Sequence, residues 1–362
     1  MATMTHENHR MQKAAATTAA ALISEGLASP ADEGPLTQVA ERYAIAAPRH
    51  MIELIDRNVE RDPIAMQIVP STAELVTTPD ERPDPIGDHT YSPVKGLVHR
   101  YPDRVLLKVH SACAVYCRFC FRREMLGPGG DSMAEDDIAA ALTYIRERPE
   151  IWEVILTGGD PLVLSPKRIS SLLDSLDTIE HVNVVRFHTR LAVAAPERIT
   201  DELIRVLSDR RATIYIAVHS NHVRELSDDA IAACDRLTRA NIPLVGQTVL
   251  LRGVNDTIES LEALFRAMVR ARITPYYLHH PDLAPGTSHF RVSIETGQTL
   301  MKELRGRVSG LALPTYMLDI PGGHGKVPVG PNYVAKSPDG SALVEDVNGR
   351  SHAYPPHITD PS

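Results

Sequence analysis

Short β-branched runs alternate with amphipathic stretches from about residue 105 onward. Six of the runs predict strands, at residues 105–109, 153–157, 182–188, 213–218, 244–250 and 274–278. Between them, apolar residues recur at steps of three and four, as on the buried face of a helix, most clearly at 257–271 and 293–308. Six strand–helix units in succession predict an α/β fold with a parallel sheet, either doubly wound or curled into a barrel. In both arrangements the active site lies at the C-terminal ends of the strands.

The chain divides into three parts by pattern and composition. Residues 1–95 predict an N-terminal extension, helical from about 36 to 60 and then Pro-rich and extended from 63 to 93. Residues 96–331 hold the strand–helix units and are the predicted catalytic domain. Residues 332–362 are polar and predict an irregular C-terminal tail.

Composition and charge indicate which binding partners and which cellular compartment to expect. The hydrophobic fraction of 43% and the charged fraction of 23% are ordinary for a globular protein. The net charge of −8 argues against nucleic-acid binding, which needs clustered excess Lys and Arg. No apolar run reaches the roughly 18 residues of a membrane span, and no basic segment precedes an apolar core as in a secretory signal. We therefore expect a cytoplasmic protein with no membrane partner.

Three of the four cysteines lie on one loop directly after the first predicted strand. Cys113, Cys117 and Cys120 follow the spacing Cys-x3-Cys-x2-Cys. Three thiolates on one loop can hold three irons of a cubane cluster and leave the fourth iron open to a small molecule. The alternatives are a zinc site, which would need a fourth ligand at finger-like spacing, and cysteines without a ligand role. Cys234 is distant and lies on an apolar helical face.

The loop has an aromatic residue just before Cys120 and resembles the signature of the radical S-adenosylmethionine superfamily. Six further segments resemble the lysine 2,3-aminomutase family within it, at residues 97–105, 157–162, 247–256, 275–283, 286–291 and 319–328. Together the matches span roughly residues 95–335. The resemblance implies a partial (β/α)6 TIM-like barrel, in agreement with the six strand–helix units.

The resemblance implies that the three cysteines of the loop bind a [4Fe–4S] cluster whose open iron takes S-adenosylmethionine. One electron, from a donor of the flavodoxin or ferredoxin type, then splits this cofactor and yields a 5′-deoxyadenosyl radical. Gly158 and Gly159 would let the backbone approach the methionine part of the cofactor, and Asp160 would meet its ammonium. Without the resemblance, Gly-Gly-Asp-Pro would be read as a common turn.

Lys326 lies among Gly322, Gly323 and Gly325 and matches the lysine that holds pyridoxal 5′-phosphate in this family. The resemblance also places Arg100 and Arg104 at the cofactor phosphate and Tyr101 against the cofactor. As isolated residues, a lysine in a Gly-rich turn and arginines at a strand entrance are more often surface charges.

The resemblance implies a small amino acid as the substrate, and three residues bear on its identity. Arg122 matches the family's clamp on the substrate α-carboxylate. Asp282 and Asp319 match two carboxylates that receive a distal ammonium, so the resemblance favours the conversion of L-lysine to β-lysine. The alternative for each acid is an ordinary loop residue.

Departures from the family pattern keep other readings open. Thr257 stands where the best-known members carry a zinc-binding cysteine, and no cysteine follows Cys234, so assembly as a homo-oligomer stays open. His324 interrupts the family's run of glycines. Phe119 and Phe121 resemble the related enzyme that modifies a lysine bound for elongation factor P. That activity and a 2,3-aminomutase for arginine are the alternatives within the class, and an iron–sulfur electron carrier is the alternative outside it.

Overall fold

The computed structural model describes residues 15–127, 132–336 and 341–355. The ends of the predicted extension and tail, residues 1–14 and 356–362, lie outside the described residues. A nine-stranded sheet forms the centre of the fold, with strands β1 (Leu97–Tyr101), β2 (Arg104–His110), β3 (Glu153–Gly158), β4 (Val184–Thr189), β5 (Thr213–His219), β6 (Leu244–Val249), β7 (Ile273–His279), β8 (Thr315–Asp319) and β9 (Lys326–Pro328).

The strands of this sheet lie in the order of the chain, from β1 to β9. A doubly wound sheet reverses its strand order at a switch point, whereas this order never reverses. Strands β2 to β8 are parallel, and β1 and β9 add antiparallel edges. The curled half-barrel confirms the predicted partial barrel, and all six predicted strands are present. The pattern did not predict β1, β8 or β9.

The connections between the parallel strands carry helices that cover the outside of the sheet. The helices of the described chain are α1 (Ala19–Ser24), α2 (Glu33–Arg42), α3 (Arg49–Glu53), α4 (Ala65–Ile68), α5 (Glu135–Arg146), α6 (Pro166–Asp177), α7 (Leu191–Ala194), α8 (Asp201–Ser208), α9 (Asp228–Arg239), α10 (Ile258–Arg270) and α11 (Ile294–Arg307). None of these helices is both long and apolar enough to traverse a bilayer.

Helix α10 shows how the sequence pattern produces this layer. The Thr257 hydroxyl caps the helix by accepting a hydrogen bond from the backbone N–H of Ser260. The apolar stripe predicted at steps of three and four is buried against the sheet, and its members are Leu261, Leu264, Phe265 and Met268. Burial of each such side chain stabilises the fold by about 1.5–3 kcal/mol.

The N-terminal extension packs against the cysteine loop. Its predicted helix over 36–60 is two helices, α2 and α3, because Pro48 imposes an extended backbone directly before α3. The backbone N–H of Tyr116 donates to the Ala46 carbonyl at 3.0 Å, and that of Arg118 donates to the Gln67 carbonyl at 2.9 Å. The extension thus fixes the loop at the mouth of the half-barrel.

The C-terminal tail is not irregular over its described residues, so that prediction is wrong there. It forms a three-stranded antiparallel sheet of β10 (Val334–Lys336), β11 (Ala342–Glu345) and β12 (Ser351–Tyr354). Each strand has only three or four residues, and most of their side chains are exposed or half-buried. Such short strands give no hydrophobic alternation that a sequence could display.

Candidate active site

The cysteine loop begins where β2 ends, at the C-terminal edge of the parallel sheet. Cys113, Cys117 and Cys120 are half-buried on this loop, while Cys234 is fully buried in α9. His110 anchors the start of the loop: its Nδ1 accepts from the backbone N–H of Ala112 at 3.0 Å. The structure therefore brings the three predicted ligands together and keeps the fourth cysteine away.

Burial disfavours the ionised form of two thiols on this loop, those of Cys113 and Cys120. Burial raises the pKa of Cys113, and the nearby Asp160 carboxylate raises it further. Burial also raises the pKa of Cys120, to about 11, with Cys117 adding to the effect. Bound iron supplies the positive charge that turns such thiols into thiolate ligands. The pocket beside the loop is lined by all three cysteines, so this donor set fits an iron–sulfur cluster.

A site for a single metal ion needs several ligand side chains grouped around one point. Within the three described ranges, no three His, Cys, Asp or Glu side chains are grouped as ligands of one ion. In a cubane cluster, by contrast, each thiolate meets a different iron.

Gly158 and Gly159 let the end of β3 approach the cysteine loop. Gly158 has φ +103°, and a Cβ on it would lie 2.7 Å from the carbonyl oxygen of His110. A Cβ on Gly159 would lie 2.1 Å from the carbonyl oxygen of Ala112. The backbone N–H of Asp160 donates to that same Ala112 oxygen at 2.9 Å. The close approach that the two glycines make in this structure is to the loop backbone, and their contact with a cofactor stays a prediction.

The Asp160 carboxylate is fully engaged with the end of β4. It accepts from the Thr189 hydroxyl at 2.7 Å, from the Arg190 backbone N–H at 2.8 Å and from the Leu162 N–H at 3.0 Å. Burial raises the pKa of Asp160, although these hydrogen bonds oppose the effect. The carboxylate ties β3 to β4, and its contact with a cofactor ammonium stays a prediction.

Lys326 and Asp319 face each other across the antiparallel pair of β8 and β9. The Lys326 ammonium forms an ion pair with Asp319 Oδ2. The backbone N–H of Lys326 donates to the Tyr101 hydroxyl at 2.7 Å, which fixes the start of β9. The other oxygen of Asp319, Oδ1, is buried and has no partner among the described residues. A free acceptor beside a reactive amine is a suitable place for a substrate ammonium.

The turn between β8 and β9 packs on the N-terminal extension. Gly322, Gly323 and Gly325 all have positive φ, which other residues rarely adopt. A Cβ on Gly323 would lie 2.6 Å from the ring of Tyr91, and the N–H of Gly322 donates to the Pro85 carbonyl at 3.2 Å. The glycines thus hold the predicted cofactor lysine in a tight turn under the extension.

Arg100 and Arg104 flank Tyr101 on β1 and β2. The guanidinium of Arg104 stacks on the Tyr101 ring at 3.8 Å from its centroid and pairs with Asp103 at 2.6 Å. Arg100 pairs with Asp88 at 3.3 Å, and its Nε is buried with no partner in the described chain. A buried donor without an acceptor fits an anionic group such as a phosphate, so these residues fit pyridoxal phosphate.

Arg122 is held by a carboxylate that the sequence analysis missed. Its Nε and Nη2 donate to Asp88 Oδ2 at 3.2 and 3.1 Å. Asp88 is 1% exposed and also meets Arg100 and Lys108. Burial alone would raise the pKa of Asp88, but the three cations, Arg122 foremost, hold it below its usual value. One buried carboxylate therefore organises three cations around the site.

Asp282 belongs to the same electrostatic cluster. Burial, with a further contribution from the Asp319 carboxylate, raises its pKa to about 7. Lys326 and Arg122 act in the opposite direction, so both cations lie within electrostatic reach of Asp282. The structure thereby gathers the predicted cofactor lysine, the predicted carboxylate clamp and both predicted acids at one end of the half-barrel.

Two histidines inside the half-barrel were also missed. The pKa of His188, on β4, is well below its usual value because of burial, with Arg186 and Arg122 adding to the effect. The pKa of His279, on β7, is likewise lowered by burial and by Lys326. Both imidazoles are therefore neutral next to the site. Arg186 and His188 are the half-buried residues of the otherwise buried strand β4. Their spacing of two places both side chains on the same face of the strand, and this spacing is the sequence signal that could have identified His188.

Comparisons with known proteins show which families and proteins this chain is similar to. A family model described as the Radical SAM superfamily matches residues 107–268, and one described as Lysine-2,3-aminomutase matches residues 301–357. The chain is 38% identical to the L-lysine 2,3-aminomutase of Clostridium subterminale over 89% of this chain and 77% of that one. It is 36% identical to the glutamate 2,3-aminomutase of Clostridioides difficile, covering 84% and 72%. It is also similar to the crystal structure of a radical SAM methyltransferase from Sphaerobacter thermophilus, at 22% identity and a TM-score of 0.45 over 61% and 68% of the two chains.

Proposed function

The chain belongs to the lysine 2,3-aminomutase family of radical S-adenosylmethionine enzymes, and from this premise we propose that it converts L-lysine to β-lysine. The observation that carries the proposal is the pair of acids, Asp282 and Asp319, in one electrostatic cluster with the cation of Arg122. L-Lysine carries a carboxylate at one end and two ammonium groups. A site that holds two acids and a guanidinium has charges complementary to these groups.

Membership in this family implies three bound groups, a [4Fe–4S] cluster, S-adenosylmethionine and pyridoxal phosphate. When bound, they supply a carbon radical that takes a hydrogen from the substrate and an imine through which nitrogen migrates. We assign Cys113, Cys117 and Cys120 to the cluster, and Lys326 to the covalent attachment of pyridoxal phosphate. The other cofactor assignments are Arg100, Tyr101, Arg104, Gly158, Gly159 and Asp160.

Asp319 changes partner as the site is loaded. In the structure its Oδ2 holds the Lys326 ammonium, so the acid is neutralised by the chain itself. Attachment of pyridoxal phosphate to Lys326 would remove that ammonium and leave Asp319 an unpaired buried carboxylate. The distal ammonium of lysine would then replace the lost charge.

Asp282 assists by changing its protonation state. Its raised pKa keeps it largely protonated at mildly acidic pH, which avoids two adjacent buried anions. An incoming ammonium favours the ionised form, so Asp282 releases a proton as the substrate binds. Arg122 turns from Asp88 to the substrate carboxylate or shares both.

The charge of the pocket argues against glutamate. A glutamate side chain would place a third carboxylate against Asp282 and Asp319. The repulsion between like charges that are brought together in a site costs several kcal/mol. Arginine has a distal cation as well, so it is the competing substrate that the assay must include.

The partners follow from the chemistry. The cluster needs a one-electron donor, and we propose one of the flavodoxin or ferredoxin type. Four cysteines without a disulfide, three of them assigned to the cluster, suit the reducing cytoplasm, where we place the enzyme. We propose a homo-oligomer whose subunit packing does not use the zinc site of the best-known members.

Anaerobic reconstitution followed by a substrate assay tests the proposal. Protein loaded with iron, sulfide, pyridoxal phosphate and S-adenosylmethionine is incubated with L-lysine, L-arginine or L-glutamate and a chemical reductant. Formation of β-lysine, well above any product from the other two, is the expected result. Preferential turnover of glutamate would overturn the lysine assignment, and no amino-acid product with an intact cluster would overturn the aminomutase activity.

A further inference from the structure

Arg190, at the end of β4, lies directly beside one cysteine of the loop. Its Nη1 is 2.9 Å from the Sγ of Cys117, and its side chain is only 5% exposed. An N–H group of a guanidinium at this distance is a charge-assisted hydrogen-bond donor to a thiolate. The proposed reaction gives this side chain no role, and the site residues derived from the sequence do not include it.

Two acceptors hold the guanidinium from its other side. Its Nη2 donates to Oε1 of Gln67 at 2.6 Å and to Oε2 of Glu225 at 2.7 Å. Glu225 is itself fixed, because it accepts from the backbone N–H groups of Asn221 and His222 at 2.9 Å each. The guanidinium is therefore clamped in one orientation and cannot turn away from the sulfur.

Aromatic rings exclude water from this contact. The guanidinium carbon of Arg190 lies 5.4 Å from the centroid of the Phe119 ring. Phe119 stacks on His219 and meets Phe290 edge to face. Charges act more strongly where water is excluded, because the local dielectric is low. Phe119, which departs from the family pattern in the sequence, thus shields the charge beside the loop.

The charges of this network are paired. A guanidinium stays protonated in proteins, and that of Arg190 lies 2.7 Å from the Glu225 carboxylate. Burial alone would raise the pKa of Glu225, but Arg190 holds it below its usual value. One fixed cation therefore faces Cys117, with one fixed anion behind it.

We propose that Arg190 is a positioning residue that sets the reduction potential of the cluster through its hydrogen bond to Cys117. The inference rests on the proposed function, since it requires that the loop hold the cluster. Reduction adds one negative charge to the cluster, and a buried cation on a ligand sulfur stabilises that state more than the oxidised one. Arg190 therefore raises the potential, and Glu225, as the anion behind it, lowers it.

Anaerobic redox titration of the reconstituted protein tests this. The parent and the variants Arg190→Gln, Arg190→Lys and Glu225→Gln are titrated with dithionite and mediators, without S-adenosylmethionine or substrate. The reduced cluster is quantified by electron paramagnetic resonance, and iron and sulfide are counted for each protein. Arg224→Gln is the matched control, because Arg224 is the neighbour of Glu225 and pairs with Asp62 instead of the loop.

The two charge changes should shift the titration in opposite directions. Arg190→Gln should lower the ratio of reduced to oxidised cluster at a fixed potential by at least tenfold, about 59 mV for one electron. Glu225→Gln should raise that ratio, Arg190→Lys should lie between Arg190→Gln and the parent, and Arg224→Gln should match the parent. Unshifted midpoints in Arg190→Gln and Glu225→Gln with full iron content would overturn the proposal.

Loss of the cluster has a separate meaning in each protein. If the parent itself binds no iron and sulfide, the proposed function fails. If Arg190→Gln alone does not assemble the cluster, the proposal is tested by Glu225→Gln. The ratio of reduced to oxidised cluster in that variant must then be higher than in the parent. If neither variant assembles it, the network serves only to hold the loop, and the assignment to the potential is wrong.

Discussion

Lys326 and Asp319 are directly opposite each other on two antiparallel strands, and their side chains form an ion pair. The pairing is fixed by the backbone, because the Lys326 N–H also donates to the Tyr101 hydroxyl. The amine that we assign to cofactor attachment is thereby held next to the acid that we assign to the substrate. On these assignments, we propose that attachment of the cofactor to Lys326 also frees Asp319 for the substrate.

The first prediction concerns this lysine. Borohydride treatment of the protein loaded with pyridoxal phosphate should fix the cofactor on Lys326, since this side chain is 31% exposed and its amine can be reached. Peptide mapping should find the label on that residue, and Lys326→Ala should remove it. Lys336→Ala, a change of an exposed lysine on β10, is the control and should keep the label. A label on any other lysine contradicts the assignment.

The second prediction concerns the acids. Asp282→Asn or Asp319→Asn should lower kcat/KM for L-lysine by about 30-fold or more, the equivalent of about 2 kcal/mol for an unpaired buried charge. The cluster and the borohydride label should persist in both variants. Asp209→Asn, at an exposed helix end, is the control. Near-parental turnover of lysine by either site variant would show that the pocket is elsewhere.

The third prediction is a pH dependence of stability. Because burial raises the pKa of Asp282 to about 7, this carboxyl binds more protons in the folded chain than in the unfolded chain between about pH 4 and 7. The contribution of Asp282 to the free energy of unfolding of the cofactor-free protein should therefore decrease as the pH rises through this window. Asp282→Asn should remove this contribution, so that the variant gains stability relative to the parent toward pH 7. Urea unfolding of both proteins at several pH values measures the difference, and a constant difference would contradict the shift.

The sequence predicted the frame of the fold because its central strands are β-branched runs bounded by turns. Strand β5, for example, was predicted at 213–218 and is Thr213–His219. Strands β1, β8 and β9 have five residues or fewer and pair at or near the edges of the sheet. The strand propensity of such short edge segments is a weak predictor, because it depends on their packing context. The cysteine ligands could be predicted because their spacing lies within one loop.

Other parts of the site depend on contacts between distant segments. Asp88 meets Arg122 from 34 positions away, and Gln67 meets Arg190 from 123 positions away. Neither acceptor stands in a periodic pattern or a motif, so a single sequence gives no sign of the partner. The N-terminal extension was predicted from the sequence, but its part in holding the loop and the guanidinium groups is visible only in three dimensions.

The fourth prediction separates the cysteines. Alanine at Cys113, Cys117 or Cys120 should abolish the full iron and sulfide content after anaerobic reconstitution, because each thiolate meets a different iron. Cys234→Ala should keep the cluster, since Cys234 is buried among the apolar residues of α9 and the sheet. The small cavity left by this substitution should lower the free energy of unfolding by only about 1 kcal/mol. A cluster that is lost in Cys234→Ala would contradict the assignment.

The last prediction tests the contact between the glycines of β3 and the cysteine loop. A methyl group on Gly159 would lie 2.1 Å from the carbonyl oxygen of Ala112, and this neighbour is backbone that cannot rotate away. Gly159→Ala should therefore displace the loop, at a cost of about 1–3 kcal/mol in unfolding free energy. Gly310→Ala is the matched control, because nothing lies within 4 Å of the added carbon and its φ is not positive. Iron content after reconstitution should fall in Gly159→Ala and stay parental in Gly310→Ala. Equal iron content and equal stability in the two variants would mean that the strand end does not hold the cluster loop in place.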